Sequence, residues 1–394
     1  MIRSNRIEDS FAFYCLLFLS CLNINEMGSI LFIVFCLYSI VKCHFVLLID
    51  KTNYILTMVM CVICMAVSFV TWGLNDAIKC LNFLGAYVVG YSAFINAHDK
   101  QKLIKNSMFS VFSGFALQIV LVYLYNLYCG QPSTRTLYAI WNNGLISVTL
   151  IALLSSVVIG YSFYGIAVNK KKSLKIFVII ALYLTALANI TTATRTPFLL
   201  AAFMLLILIC AYIKNSDKSV KIRTIVISII VISLAAFCYI FDWLGVRSFL
   251  LNSALYERFS DEGLQTGRIR IAKQFMSYMW RYPFGGGLAR KEIHNYAHNI
   301  LLEIYDMYGA LPFLLTVIFY IQSIKNTIAV IKHGQDTNCN YIFAGLYITI
   351  LVQMFLEPVI EGFPILFYVF LFIHGICTAY VRSGLSGKYE YEIS

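Results

Sequence analysis

Long apolar runs alternate with short polar breaks along almost the whole chain. Twelve runs are candidate membrane crossings, at about residues 10–24, 27–46, 54–75, 78–97, 107–128, 144–168, 174–192, 196–213, 224–241, 299–324, 340–356 and 362–380. A bilayer core about 30 Å thick takes roughly 20 apolar residues as a helix. A helix also satisfies its own backbone groups, which lipid cannot do. The pattern predicts an all-α, polytopic membrane protein with about 12 transmembrane helices. Polar residues concentrate in one long segment. That divides the chain into 1–241 with helices 1–9, a large loop at 242–298, and 299–394 with helices 10–12 and a tail. The first run is short, and Lys42 and His44 blur the end of the second. Nothing near the N-terminus has the form of a cleaved signal, so the first run reads as a retained anchor.

Composition sharpens this picture. Of 394 residues, 60% are hydrophobic and 12% charged, whereas a soluble domain is about a quarter charged. The twelve cysteines lie mostly inside apolar runs and none falls in the long loop, so they are no disulfide framework. Cys61 and Cys64 have the spacing of a metal or redox pair. They lack a partner pair and read as small apolar helix residues.

Charge sets an orientation, because lysine and arginine favour cytoplasmic loops. Arg3 and Arg6, then Lys100, Lys102 and Lys105, the lysines at 170–175 and 214–221, Lys325 and Lys332, and finally Arg382 and Lys388 all fall at breaks on one side of an alternating path. Both termini are therefore expected in the cytoplasm, and 242–298 on the outer face. That loop is rich in arginine: Arg247, Arg258, Arg268, Arg270, Arg281 and Arg290. Arg195 falls at an outer boundary as well, between runs seven and eight. A guanidinium presents a planar fork suited to phosphate oxygens, and a charge at a membrane boundary marks a functional site by default. These arginines read either as a site for an anionic, diphosphate-bearing ligand or as solvated charges touching lipid headgroups.

Within the loop, residues 268–282 predict an amphipathic helix. Ile271, Phe275, Tyr278, Met279 and Tyr282 make an apolar stripe, with Arg270, Lys273, Gln274, Ser277 and Arg281 opposite. Such a helix can lie on the bilayer surface and still carry Arg268 at its site-facing end. Pro283 stops it. The following Phe284-Gly285-Gly286-Gly287 permits close backbone approach, although a simple turn explains it equally, and it lacks the lysine of a nucleotide-binding loop. His294 and His298 come next. Histidine is the side chain best poised for proton transfer near neutral pH. Their i, i+4 spacing is that of one helical face, which suits zinc, but no third ligand is evident and no metal site is expected. Glu303, Asp306, Glu357 and Glu361 lie near the same side, either balancing the arginines or orienting His298.

Three motifs in this order resemble the O-antigen polymerase and O-antigen ligase superfamily of membrane glycosyltransferases. They are Thr194-Arg195-Thr196 opening an apolar run, Gly267-Arg268 followed by a helix and RYPFGGG, and AHNILLEIYDMYGALPFLL. The resemblance covers about 190–325; the first 190 residues add only their hydropathy. It implies that Arg195, Arg268 and His298 are the catalytic residues. Arg270 is a possible substitute for Arg268 and His294 for His298, and Arg270, Arg281, Arg290, His294 and Glu303 are the candidate substrate-binding residues beside them. The implied reaction is an inverting transfer without metal or other cofactor. It takes a glycan from an undecaprenyl-diphosphate-linked oligosaccharide at the periplasmic face of the bacterial inner membrane. A polymerase passes it to another lipid-linked repeat unit, and a ligase to lipid A–core. The compact stretch between Arg268 and His298 and the sequence HNILLEI are more similar to polymerases. Against that, the short outer loop at 129–143 lacks the second arginine pattern of some polymerases. An acceptor glycolipid and a chain-length regulator protein are the expected partners, and no nucleic acid is. A flippase or other carrier is the remaining class. It would be expected to show an internal repeat and polar groups near the bilayer middle, and no repeat relates the two halves.

Overall fold

The computed structural model describes residues 6–43, 50–130, 136–142, 144–168, 171–215, 240–252, 268–333 and 337–391, with a few isolated residues between 222 and 256. Its helices are α1 (Phe11–Leu22), α2 (Gly28–Lys42), α3 (Lys51–Thr71), α4 (Leu74–Lys79), α5 (Leu81–Asn96), α6 (Lys100–Tyr128), α7 (Val148–Val168), α8 (Lys172–Thr191) and α9 (Thr196–Asn215). There follow α10 (Val246–Leu251), α11 (Arg268–Tyr278), α12 (Leu288–Ile293), α13 (Ile300–Tyr308), α14 (Ala310–His333), α15 (Thr337–Leu356) and α16 (Pro364–Tyr391). Among the described residues six helical stretches are long and apolar enough to cross a membrane, and five shorter apolar helices accompany them. The expected ninth run, 224–241, lies almost wholly outside the described residues.

The chain is a multi-pass membrane protein whose centre is α16. This helix is buried nearly throughout its apolar length and packs along α5. The contact is backbone-close: a Cβ on Gly90 would strike the Phe372 carbonyl, and one on Gly375 the Tyr87 carbonyl. Small residues let membrane helices approach in this way, where van der Waals packing replaces a hydrophobic driving force. The outer helices are two-faced. Helix α8 buries Val178, Ala181, Thr185, Ala188 and Asn189 and exposes Ile176, Ile179, Ile180 and Tyr183, as a lipid-facing helix should.

Polar contacts gather at the two ends of the bundle. At one end Lys102 pairs with Asp9 at 2.5 Å and Arg382 with Asp50 at 2.6 Å. At the other end lie Glu26, the 136–147 hairpin, and the segments 192–196, 281–299 and 356–364. The hairpin is the one addition to an all-α fold among the described residues: β1 (Thr136–Tyr138) runs antiparallel to β2 (Leu145–Ser147), with Leu137 opposite Ile146. Asn126 holds it by bonding the backbone N–H and carbonyl of Tyr138.

Two expectations change. The tenth run, expected as one span over 299–324, is broken at Gly309, where φ is +92°, into α13 and the crossing helix α14. The loop helix ends at Tyr278 rather than 282.

Candidate active site

The apolar stripe of α11 is spent on protein. Ile271 and Phe275 are buried with Ala289, Ala297 and Leu302 in a small core of their own, flanked by Tyr278, Met279, Tyr282 and Ile293. Ile269, Met276, Trp280 and Phe284, with Leu288 and Tyr296, are exposed apolar groups of this region. The loop thus folds onto α12 and α13, instead of resting on lipid through its stripe.

The glycine segment is stitched into the break of the tenth run. The Gly286 N–H donates to the Met307 carbonyl at 2.9 Å, Gly287 N–H to Asp306 at 2.8 Å, and Ala310 N–H to Pro283 at 2.8 Å. These bonds satisfy carbonyls and an amide that a broken helix leaves orphaned. All three glycines have positive φ, between +68° and +80°, a region that favours glycine.

This stitching places Arg268 and His298 against the turn after α15, and Glu357 is where they meet. The Arg268 guanidinium donates to Glu357 Oε1 at 2.6 Å and to the Leu356 carbonyl at 3.0 Å. His298 Nδ1 stands 3.7 Å from Glu357 Oε2, beyond a hydrogen bond. Thr196, the first residue of α9, donates its hydroxyl to Glu357 Oε1 at 3.3 Å. Arg195 is half-buried and opens α9, its carbonyl accepting from Phe198 and Leu199. One carboxylate thus gathers α9, α11 and the start of α13. The Glu357 side chain is 4% exposed and that of Arg268 33%, so the arginine can meet a ligand and its anchor cannot.

The remaining predicted residues take varied places. Arg290 pairs with Glu361, its N–H donates to Asp306 at 3.2 Å, and its guanidinium lies over the Tyr296 ring at 5.6 Å. Arg281 is exposed, bound to Glu292 at 3.2 Å and set over the Tyr282 ring. Arg270 is exposed on α11. His294 is exposed with φ +54° and caps α12, and the stretch from it to His298 is not helical. The two histidines therefore do not share the helical face that a zinc pair would need. Among the described residues no group of three or more His, Cys, Asp or Glu could hold a metal ion.

Glu303, expected beside substrate, is buried and turned to the backbone. Its carboxylate oxygens accept from the amides of Val359 and Glu361 at 2.7 and 2.6 Å. Burial pushes its carboxyl up to about 8, and the amide bonds pull the other way without prevailing. Its effect is to fix the 357–361 turn, and with it both Glu357 and Glu361. Asn299 works alongside: it caps α13 through the amides of Leu301 and Leu302 and donates to the Phe355 carbonyl at 3.0 Å.

Residues 180–317, from within α8 into α14, match the family model described as O-antigen ligase (Wzy_C). This match covers about a third of the chain and agrees with the resemblance to the O-antigen polymerase and ligase superfamily read from its motifs. None of the curated proteins matches it. The superfamily segment holds Arg195, Arg268, Arg290 and His298 but ends before Glu357 and Glu361. The sequence marked these two only as nearby acids. Their signal was an acid at the end of an apolar run, beside Pro358, where an unpaired charge would be costly.

Proposed function

We propose that this chain is an O-antigen polymerase of the bacterial inner membrane. It transfers an undecaprenyl-diphosphate-linked glycan to an acceptor repeat unit at the periplasmic face. The meeting of Arg268 and His298 at buried Glu357, beside the N-terminus of α9, carries this reading.

Chemically, the step forms a bond from an acceptor hydroxyl oxygen to the anomeric carbon and breaks the bond to the diphosphate. Inversion follows if the hydroxyl attacks from the face opposite the leaving group. The hydroxyl loses a proton and the diphosphate gains charge. Arg268 and Arg195 stabilise that charge, assisted by the positive end of the α9 dipole. Prepositioned cations aimed at developing charge are often the largest single catalytic contribution. His298 takes the acceptor proton through Nε2, and Glu357 near Nδ1 stabilises the imidazolium that forms.

In cells, Arg195→Ala, Arg268→Ala and His298→Ala should each abolish long O-antigen while the protein still inserts. Normal banding from any one removes that residue from the site. The family description favours a second reading, ligation to lipid A–core. A deletion strain separates them: loss of a polymerase leaves core bearing one repeat, whereas loss of a ligase leaves bare core with lipid-linked polymer accumulating.

A further inference from the structure

A cavity opens near the glycine segment, with Trp72 and Arg290, the neighbours of Gly287, in its wall. It encloses about 560 Å³ between the α1–α2 turn, the α3–α4 turn, α13 and the segment 360–365. Small-molecule sites run from about 300 to 1,000 Å³. Its wall includes Arg290 and Glu361, so it adjoins the proposed site through the 357–361 turn that Glu303 fixes.

Its lining differs in kind from the Arg268 cluster. The cavity holds two cations, Lys79 and Arg290, and each has a carboxylate already: Lys79 binds Asp76 at 2.7 Å and Arg290 binds Glu361. A third carboxylate, Glu26, accepts from Asn142 at 3.1 Å. With three acids to two paired bases, a diphosphate would find no cation to spare. Aromatic rings complete the wall: Trp72, Phe83, Tyr296 and Tyr308, with Trp72 and Phe83 each edge-on to Tyr308 at 6.2 Å. Carboxylates accept hydrogen bonds from hydroxyls, and aromatic faces cover the apolar C–H faces of a sugar ring. A Cβ on Gly287 would crowd the Arg290 guanidinium at 3.3 Å and touch Trp72 at 3.6 Å, an ordinary contact.

We propose that this cavity is the acceptor-sugar subsite, a pocket for uncharged, hydroxyl-rich glycan lying apart from the diphosphate. The inference rests on the transferase reading above, and it assigns Asp76, Glu26 and Trp72 as binding residues that the superfamily segment does not contain.

The test uses the full-length protein in nanodiscs. The probe is the free repeat-unit oligosaccharide released by mild acid from its lipid-diphosphate carrier, a cleavage that leaves the diphosphate on the lipid. Binding is read by saturation-transfer NMR. The wild type should bind. Glu26→Gln/Asp76→Asn should bind about tenfold or more weakly, as expected when hydrogen bonds to carboxylates are removed, and Trp72→Phe, chosen to preserve packing, should bind detectably more weakly. Arg268→Ala should bind as the wild type does. Absence of binding by the wild type, or binding lost with Arg268→Ala but kept by the acid double variant, overturns the subsite. The transferase reading fails separately, if Arg268→Ala cells still make long O-antigen.

Discussion

At the scale of single residues, Glu357 organises the candidate site. It is buried and pairs with Arg268 at 2.6 Å. Removing Arg268 takes a charged partner from that buried carboxylate, which in buried pairs costs on the order of 3 kcal/mol and less here, since the arginine is a third exposed. Arg268→Gln should therefore lower the melting temperature in detergent. Adding Glu357→Gln should restore the melting temperature without restoring O-antigen. Recovery of activity in the double variant would make Arg268 a structural residue. Arg268→Lys is expected to fail as well, since one ammonium cannot reproduce the fork that reaches both Glu357 and the Leu356 carbonyl. Arginine and histidine are conspicuous in an apolar sequence, but it was the family resemblance that singled out Arg268 among the loop arginines and His298 over His294. Their partner was not legible, because 89 residues separate Arg268 from Glu357 and no local pattern encodes that pairing.

At the scale of elements, the break at Gly309 shows where hydropathy misleads. The apolar run continues through 299–324, so it reads as one crossing, while the punctuation inside it, Gly309 followed by Pro312, marks a helix end. The glycine segment docks into that break, and its members differ. A Cβ on Gly285 would lie 2.5 Å from the Gly309 nitrogen, whereas on Gly286 its nearest neighbour is 3.8 Å away. Gly286→Ala should cost only the left-handed backbone penalty, about 1–2 kcal/mol. Gly285→Ala should cost clearly more and expose the loop to protease. Equal loss in both variants would show that the steric contact is not decisive. Glu303 adds a pH dependence. Its folded carboxyl is raised to about 8 from an ordinary 4.5. Between those values the unfolded chain has released a proton that the fold retains, so stability falls as pH rises through that window. Thermal melts of Glu303→Gln should lack this slope between pH 5 and 8; an unchanged slope would place its origin elsewhere.

For the whole molecule, the alternation of apolar and polar runs predicted a multi-pass bundle, and the helices bear it out. What the pattern could not show is which helix lies innermost, because central and lipid-facing crossings are equally apolar. Helix α16 is buried and α8 half lipid-facing at much the same hydropathy. The Gly90–Gly375 contact gives a test of that arrangement. Gly90→Leu should force α5 from α16 and prevent accumulation of the protein in the membrane. Gly130→Ala, with open space around it, should accumulate near normally, checked by immunoblot of membrane fractions. Finally, the three backbone bonds joining residues 283–287 to 306–310 make the outer segment continuous with a crossing helix. It is riveted at its base, and lifting it like a flap would tear open a helix end. On the proposed function, a glycolipid would enter with this segment still fastened to α13 and α14.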